Sequence, residues 1–300
     1  MKQLLAGCGI CVALLAPAPA LQAASAAPPL VTLPAPVVGY ETTQLGPDYY
    51  SFRYLGARSI FLITTAGVIA TDPQDPAAAQ QMREEIRKLT LLPVKYVVYS
   101  HQHWDHVRGG KIFKDEGARF ISHVNCIAHF KDMPNADIIM PDIAVKTNKY
   151  DLKLGNHTLQ LRYLGPNHGD CLMIMTPAHV NIPFIVDLAS AGGMPLSYMP
   201  DYSLHNWVRS LRELEGWSFA QFTGGHGVPL ADKSRLSERR EYLEALMSET
   251  KRELDANTAI SAIPDIVAER LRERFQSLRS FNENVRDNVR RTITYYGMGW

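Results

Sequence analysis

His101-Gln102-His103-Trp104-Asp105-His106 places four potential metal ligands within six residues. The apolar run Val94-Lys95-Tyr96-Val97-Val98-Tyr99 leads directly into them, with the length and the β-branched, aromatic character of a buried strand. Val107 to Asp115 then reads as a short helix, with Asp105 and His106 at its start. The ligands therefore stand where a rigid strand gives way to a loop. Two imidazoles separated by one residue can bind one cation, while the Asp105-His106 pair turns towards a second. Neutral imidazole and carboxylate suit zinc, and less often iron or manganese. A polar loop that happens to be rich in histidine is the competing reading. It does not account for the single ligand candidates that follow in matching contexts.

His168 occurs in Leu164-Gly165-Pro166-Asn167-His168-Gly169-Asp170, a Gly/Pro turn between two strand-like runs. Asp187 ends the strand-like Ile182-Pro183-Phe184-Ile185-Val186, and His226 lies in Thr223-Gly224-Gly225-His226-Gly227 after the short apolar run Phe219 to Phe222. The His-x-His-x-Asp-His signature, the Gly-Pro-x-His, the strand-terminal Asp and the Gly-His-Gly together resemble the metallo-β-lactamase-fold hydrolases. The resemblance runs over roughly residues 40 to 255. Strands alternating with helices in two runs already suggest two sheets packed face to face with helices outside. The resemblance implies the same, an α+β fold built as an αββα sandwich with metals at one edge.

Carried over residue by residue, the resemblance assigns His101, His103 and His168 to one metal. Asp105, His106 and His226 hold the other, and Asp187 bridges. The implied cofactor is two Zn2+ ions per chain, with iron or manganese as alternative occupants. Such a pair can ionise a shared water at neutral pH, supplying hydroxide to attack an activated carbonyl of an ester, lactone or thioester. Asp105 is then the catalytic residue, orienting the hydroxide and carrying its proton to the leaving group. The bridging Asp187 favours the glyoxalase II-like thioesterases and the lactonases, since the metallo-β-lactamases proper generally lack it. A β-lactam remains the nearest alternative substrate. Two other classes are a mononuclear iron persulfide dioxygenase and a non-catalytic accessory metal-binding protein, and the complete seven-ligand set argues against both. One departure from the family pattern is local. Gly169-Asp170 follow His168 at once, where relatives usually have His-[Ser/Thr]-x-Gly-Asp, so the loop there is shortened.

Met1 to Ala26 reads as a secretory signal peptide, with Lys2 at its start, an apolar stretch from Leu4 to Leu15 and Ala24-Ser25-Ala26 as a cleavage site. The stretch is too short to span a bilayer. Leu5-Ala6-Gly7-Cys8 imitates a lipid-attachment box, but almost no hydrophobic region precedes Cys8. The expected location is therefore periplasmic or secreted, with no membrane insertion after cleavage. Residues 27–45 read as an extended arm whose first part is rich in Ala and Pro, residues 46–256 as the metallo-β-lactamase-fold domain, and residues 257–300 as a C-terminal helical extension. A hydrophobic content of 46% supports a sizeable core. With 31 basic and 30 acidic residues the net charge is +1, so there is no nucleic-acid or anionic-surface footprint, and the expected partner is a small-molecule substrate. Cys126 and Cys171 could pair in an oxidising compartment, against the reading of Cys171 as a small buried residue at a strand start.

Ser59 to Asp72 reads as a hairpin, and Asp75-Pro76 as a helix start continued from Ala77 to Leu89. Asp72 has two readings, a carboxylate that orients a liganding imidazole or a strand-capping Asp-Pro turn. Residues 132–149 read as a surface loop near the site mouth. His123, at the end of a strand, could hydrogen-bond to the site, with a core or turn histidine as the favoured reading; His129, His157, His179 and His205 lack partner motifs and read as ordinary. Trp104, Tyr198, Tyr202 and Trp207 fall beside the metal loop or after Asp187 and could line the mouth. Asp265 to Tyr296 reads as one helical segment whose arginines and acids make a solvated, salt-bridged face. Its apolar positions Ile266, Leu271, Phe275, Leu278, Phe281 and Val285 can dock on the core or on a second subunit, which leaves a homodimer open.

Overall fold

A computed structural model describes residues 39–299. The signal peptide and residues 27–38 of the expected arm lie outside the described residues. Two sheets form the centre. The first has seven strands in chain order: β1 (Tyr40–Gly46), β2 (Tyr49–Tyr54), β3 (Ala57–Thr64), β4 (Gly67–Thr71), β5 (Val94–Val98), β6 (Arg119–His123) and β7 (Ile143–Val145). It opens as an antiparallel meander through β4 and continues parallel to β7. The second sheet has the order β13-β12-β11-β10-β9-β8, from β8 (Lys149–Leu154), β9 (His157–Tyr163), β10 (Met173–Pro177), β11 (Phe184–Val186), β12 (Gln221–Gly224) and β13 (Ala231–Asp232).

The pleat of the first sheet sorts its side chains cleanly between two cores. Phe61, Val68, Ala70, Val97 and Phe120 join the helices α1 (Pro76–Leu89), α3 (Lys111–Asp115) and α4 (Cys126–Asp132) in one apolar cluster. Their neighbours Ile60, Leu62, Ile69, Val98 and Ile121 turn to the other face and meet the second sheet. The second sheet's β10 and β11 are buried throughout, as befits strands covered on both faces. Their cluster also takes in α5 (Leu204–Glu215), α6 (Arg235–Asp255), α7 (Ile263–Phe275) and α8 (Phe281–Met298). The architecture is the αββα sandwich with added C-terminal helices. Asp75 caps α1 by accepting from the Ala77 and Ala78 N–H groups, as its sequence promised.

Four local expectations are corrected. β1 begins at Tyr40, inside the stretch assigned to the arm. Its residues are mostly polar and none is buried, so only its pairing with β2 makes it a strand. Val107 to Asp115 is not one helix: α2 (Trp104–Val107) and α3 are separated by Arg108-Gly109-Gly110. Gly109, at φ +81°, presses on the Asp75 backbone where any Cβ would collide. Within the expected 132–149 loop, β7 pairs parallel with β6. The expected helix over Asp265 to Tyr296 is two, α7 and α8, broken before Phe281 where Ser280 adopts a left-handed φ of +64°. The apolar residues Leu271, Phe275, Phe281 and Val285 are buried within the chain itself. Among the described residues no helix is long and apolar enough to cross a membrane.

Candidate metal centre

β5 delivers the chain to a buried corner. Asp72, at the end of β4, accepts from the Ser100 N–H at 2.7 Å with one oxygen and from His106 Nδ1 at 3.1 Å with the other. It therefore ties the ligand loop to the sheet and orients an imidazole, the first of the two readings of this residue. Asp201, in the loop after β11, accepts from His103 Nε2 at 2.8 Å and from Gln102 Nε2 at 2.7 Å. The Gly56 carbonyl accepts from His226 Nδ1 at 2.7 Å.

These bonds fix tautomers. A carboxylate or carbonyl can only accept, so in neutral imidazoles the bonded nitrogen carries the proton and the other keeps its lone pair. The bare nitrogens are thereby His103 Nδ1, His106 Nε2 and His226 Nε2, and all three point into one space. His101 is fully buried, its Nδ1 lying 2.8 Å from Ser100 Oγ and its Nε2 facing the same space without a partner. His168 Nε2 approaches His103 Nδ1 to 3.0 Å.

Asp187 joins the two halves. Its Oδ2 lies 3.4 Å from His168 Nε2, 3.4 Å from His106 Nε2 and 3.7 Å from His101 Nε2, while its Oδ1 lies 3.4 Å from His226 Nε2. Asp105 Oδ2 completes the second half at 3.6 Å from His106 Nε2 and 3.5 Å from His226 Nε2. The structure thus brings all seven sequence-designated residues into two overlapping groups. His101, His103, His168 and Asp187 make one, and Asp105, His106, Asp187 and His226 the other, each with its ligand atoms within 4.8 Å of one another.

The local backbone is shaped for this convergence. Val186, immediately before Asp187, holds φ +50°, a strained conformation for a β-branched residue, and its carbonyl accepts from the Gly225 N–H at 2.8 Å, beyond the end of β12. A Cβ at Gly225 would run into the Asp187 carboxylate, so only glycine lets the His226 loop approach.

Cations fit the donor set. His101 Nε2, His106 Nε2 and Asp187 Oδ1 are buried without a hydrogen-bond partner. Orphaned polar atoms of that kind are costly unless an ion satisfies them. The charges of the donor set point the same way. Burial, and then the neighbouring His103 and His106, hold the His101 pKa well below its usual value. Burial works against charge on His106 too, but Asp187 and Asp105 outweigh it and raise its pKa well above normal. Burial would raise Asp187, yet His226 and His106 hold it far below the carboxylate range.

The other histidines stay out of both groups. His123 stacks on Tyr163 at 3.9 Å, His129 pairs with Asp170, His157 pairs with Asp48 and stacks on His179, and His205 bonds Tyr295. Cys126 and Cys171 form a disulfide with Cα atoms 5.4 Å apart, so neither is a ligand.

Two of the cavities that reach the ligands adjoin each other. One, of about 360 Å³, includes His103, Asp105, His168, Asp187 and His226, with Tyr202 and Trp207 in its wall. The other, of about 430 Å³, adjoins it at His103, Asp105, Leu196 and Tyr202 and contains Trp104, Phe130 and Met133. Tyr198 is exposed and lines neither. A larger cavity of about 570 Å³, near Arg162 and Trp217, contains none of the seven residues. Sequence reasoning missed Asp201, and also Arg239, Arg279 and Asn284, which bring α6 and the C-terminal helices to the first cavity.

Known proteins share this fold. A family model described as the metallo-beta-lactamase superfamily matches residues 56–177. The alpha subunit of 2,4-dinitroanisole O-demethylase from Nocardioides sp. (strain JS1661) is 23% identical over 208 residues, which are 66% of this chain and 62% of that one. The chain therefore spans less than two thirds of that relative. Metallo-beta-lactamase type 2 of Bacillus cereus is 24% identical over 232 residues, 71% of this chain and 88% of that enzyme. A solved metallo-beta-lactamase from Pontibacter korlensis shares the fold, with a TM-score of 0.61 at 18% identity over 69% of this chain and 99% of that one. The family match runs from β3 to β10, about two fifths of the chain; over that stretch the chain is similar to the metallo-beta-lactamase superfamily, and the solved neighbours show that it has that fold.

Proposed function

We propose that the chain is an exported, dinuclear zinc hydrolase that cleaves an activated carbonyl: an ester, a lactone or a thioester. The observation that carries this reading is the division of Asp187. One oxygen faces His168, His106 and His101, the other His226, so a single carboxylate serves both ligand groups. Imidazole cannot span two cations in this way. Two divalent cations held there would supply Lewis acidity at the carbonyl oxygen and lower the pKa of a shared water towards ~7.

The chain's own residues supply the rest. Asp201, Asp72 and the Gly56 carbonyl hold the imidazoles of His103, His106 and His226 in the tautomers that present lone pairs. The Asp105 side chain is 54% exposed and faces both cavities, where a substrate's reacting atoms would lie. It is placed to accept a proton from the nucleophile and return it to the leaving group. The Tyr202 ring, 4.2 Å from that of His168, lines both cavities. The Cys126–Cys171 disulfide suits an oxidising compartment and supports the export part of the reading.

A β-lactam is the second reading, favoured by the names of the Bacillus cereus relative and the Pontibacter neighbour. A screen of the zinc-loaded protein against esters, lactones, thioesters and nitrocefin, run beside Asp105→Asn, separates the cases. Two zinc ions per chain are expected, with turnover in the first three classes and a loss of ~100-fold or more in the variant. Equal rates in both proteins would remove the role given to Asp105. Nitrocefin as the only substrate turned over would move the assignment to the β-lactam.

A further inference from the structure

The cavity of about 570 Å³ lies away from both ligand groups, between the second sheet and α5. Strand register explains its charge. On β9, Leu159 and Leu161 join the apolar cluster, so Gln160 and Arg162 turn to the opposite face. Directly opposite partners share a face, which adds Thr176 of β10 beside Gln160 and Lys149 of β8 beside Arg162. All four line the cavity. Lys149 and Arg162 are thus like charges set across from each other, an arrangement that costs free energy unless an anion offsets it. Asp151 pairs with Arg162 at 2.7 Å, but Lys149 has no carboxylate partner among the described residues.

α5 brings a third cation to the same space. Arg209 Nη2 stands 3.0 Å from the position a Gly165 Cβ would take, so it lies against the turn that follows β9. Arg209 too has no carboxylate partner among the described residues, whereas Arg212, on the same helix, pairs with Glu244 at 2.8 Å. Glu213 is the one acid in the cavity wall among the described residues, and it forms no ion pair with them. A lysine on an edge strand can serve simply to ward off another strand. That use does not account for an arginine that reaches the same cavity from a helix. The floor is polar as well. The Gln160 and Thr176 side chains make no hydrogen bond among the described residues, and Thr176 is only 7% exposed. Past the end of α5, Trp217 and Phe219 add aromatic surface.

We propose that this cavity is a second ligand site, for a planar aromatic anion, with the charged group between Lys149, Arg162 and Arg209 and the ring against Trp217. Charge complementarity carries the assignment. Hydrogen bonds from an ammonium or guanidinium to an anion are about twice as strong as neutral ones, and the guanidinium fork engages two oxygens at once. Aromatic walls with a few convergent polar groups, at this volume, are the usual make-up of a site for a small organic molecule. None of the seven metal-group residues takes part, so the site stands independently of the hydrolytic reading.

The probe is a matched pair of fluorescent compounds, 8-anilinonaphthalene-1-sulfonate and N-phenyl-1-naphthylamine, which share their rings and differ by the sulfonate. Titrated into the full chain, the sulfonate is expected to bind with a Kd lower by roughly tenfold or more, a charge-assisted hydrogen bond being sufficient for this. In Arg209→Gln that preference falls by roughly tenfold, and Arg209→Lys keeps part of it. Lys149→Gln lowers the preference as well, and Trp217→Leu weakens both compounds alike. Lys149 and Arg209 are exposed, so their variants should keep the parent's Tm, which separates a lost contact from a lost fold. Equal affinity for the two compounds, or no binding of either, would overturn the site. A preference untouched in both Arg209→Gln and Lys149→Gln would place the sulfonate elsewhere on the protein and overturn it too.

Discussion

Asp72 Oδ2 accepts a hydrogen bond from His106 Nδ1 at 3.1 Å, and both side chains are fully buried. The other Asp72 oxygen takes the Ser100 N–H. Two acceptors are therefore needed at one position, and asparagine has only one. Asp72→Asn leaves either Ser100 or His106 facing a donor. Loss of an orienting partner of this type typically weakens metal binding by ~10–100-fold. Chelator competition should show that drop in the group containing Asp105, His106 and His226, with the other group less affected. A variant that loses thermal stability but keeps both affinities would reduce Asp72 to a turn cap.

The ligands could be read from sequence because each stands at a punctuation point. His101 to His106 follow a β-branched run, His168 lies in a Gly/Pro turn, Asp187 ends a strand, and His226 is flanked by the glycines its close approach requires. Asp201 has no such marker. It sits in an irregular loop, and what brings it to His103 is the grip of α8 on that loop, a contact just over ninety residues away in sequence. The break between α7 and α8 was hidden for a related reason. Gln276-Ser277-Leu278-Arg279-Ser280 contains no Gly or Pro, and Ser280 adopts its left-handed φ because the turn docks on Gly192 to Met194. β7, with three residues, is too short for alternation to show, and it exists as an added strand beside β6. Long-range pairing decides these elements, and local pattern cannot report it.

Asn288 makes the α8 grip measurable. It is fully buried, accepts from Tyr242 Oη at 2.9 Å, and donates to the Leu196 and Ser197 carbonyls at 3.2 and 2.8 Å. Asn284 adds a bond to the Pro195 carbonyl, and Arg291 one to that of Met199. Asn288→Ala strands a buried tyrosine hydroxyl and frees two loop carbonyls, and each buried unsatisfied group costs ~1–3 kcal/mol. A fall in Tm of roughly 5–10 °C is expected for a domain of this size. Hydrogen exchange should quicken between residues 194 and 202, the segment that ends on Asp201 and Tyr202. Unaltered exchange there, even with a lower Tm, would mean that α8 does not hold the loop in place.

Asp142 sets a pH dependence away from the metals. Burial opposes its ionisation, but the Lys114 ammonium, 2.7 Å from Oδ1, and the Phe120 N–H, 2.7 Å from Oδ2, outweigh burial and hold its carboxyl below the usual range. A carboxyl with a depressed folded pKa stabilises the protein at pH values above its unfolded pKa of ~3.9, and that contribution is lost as pH falls through the lower folded value. The bond pair ties α3 to β6, so its loss loosens a helix that covers the first sheet. Asp142→Asn should therefore unfold a few degrees below the parent at pH 7, and the gap should close below pH ~4 as the parent's own carboxyl protonates. Metal loss in acid affects both proteins alike and drops out of the difference. A gap at pH 3 as wide as that at pH 7 would show that charge on Asp142 is not what joins α3 to the sheet.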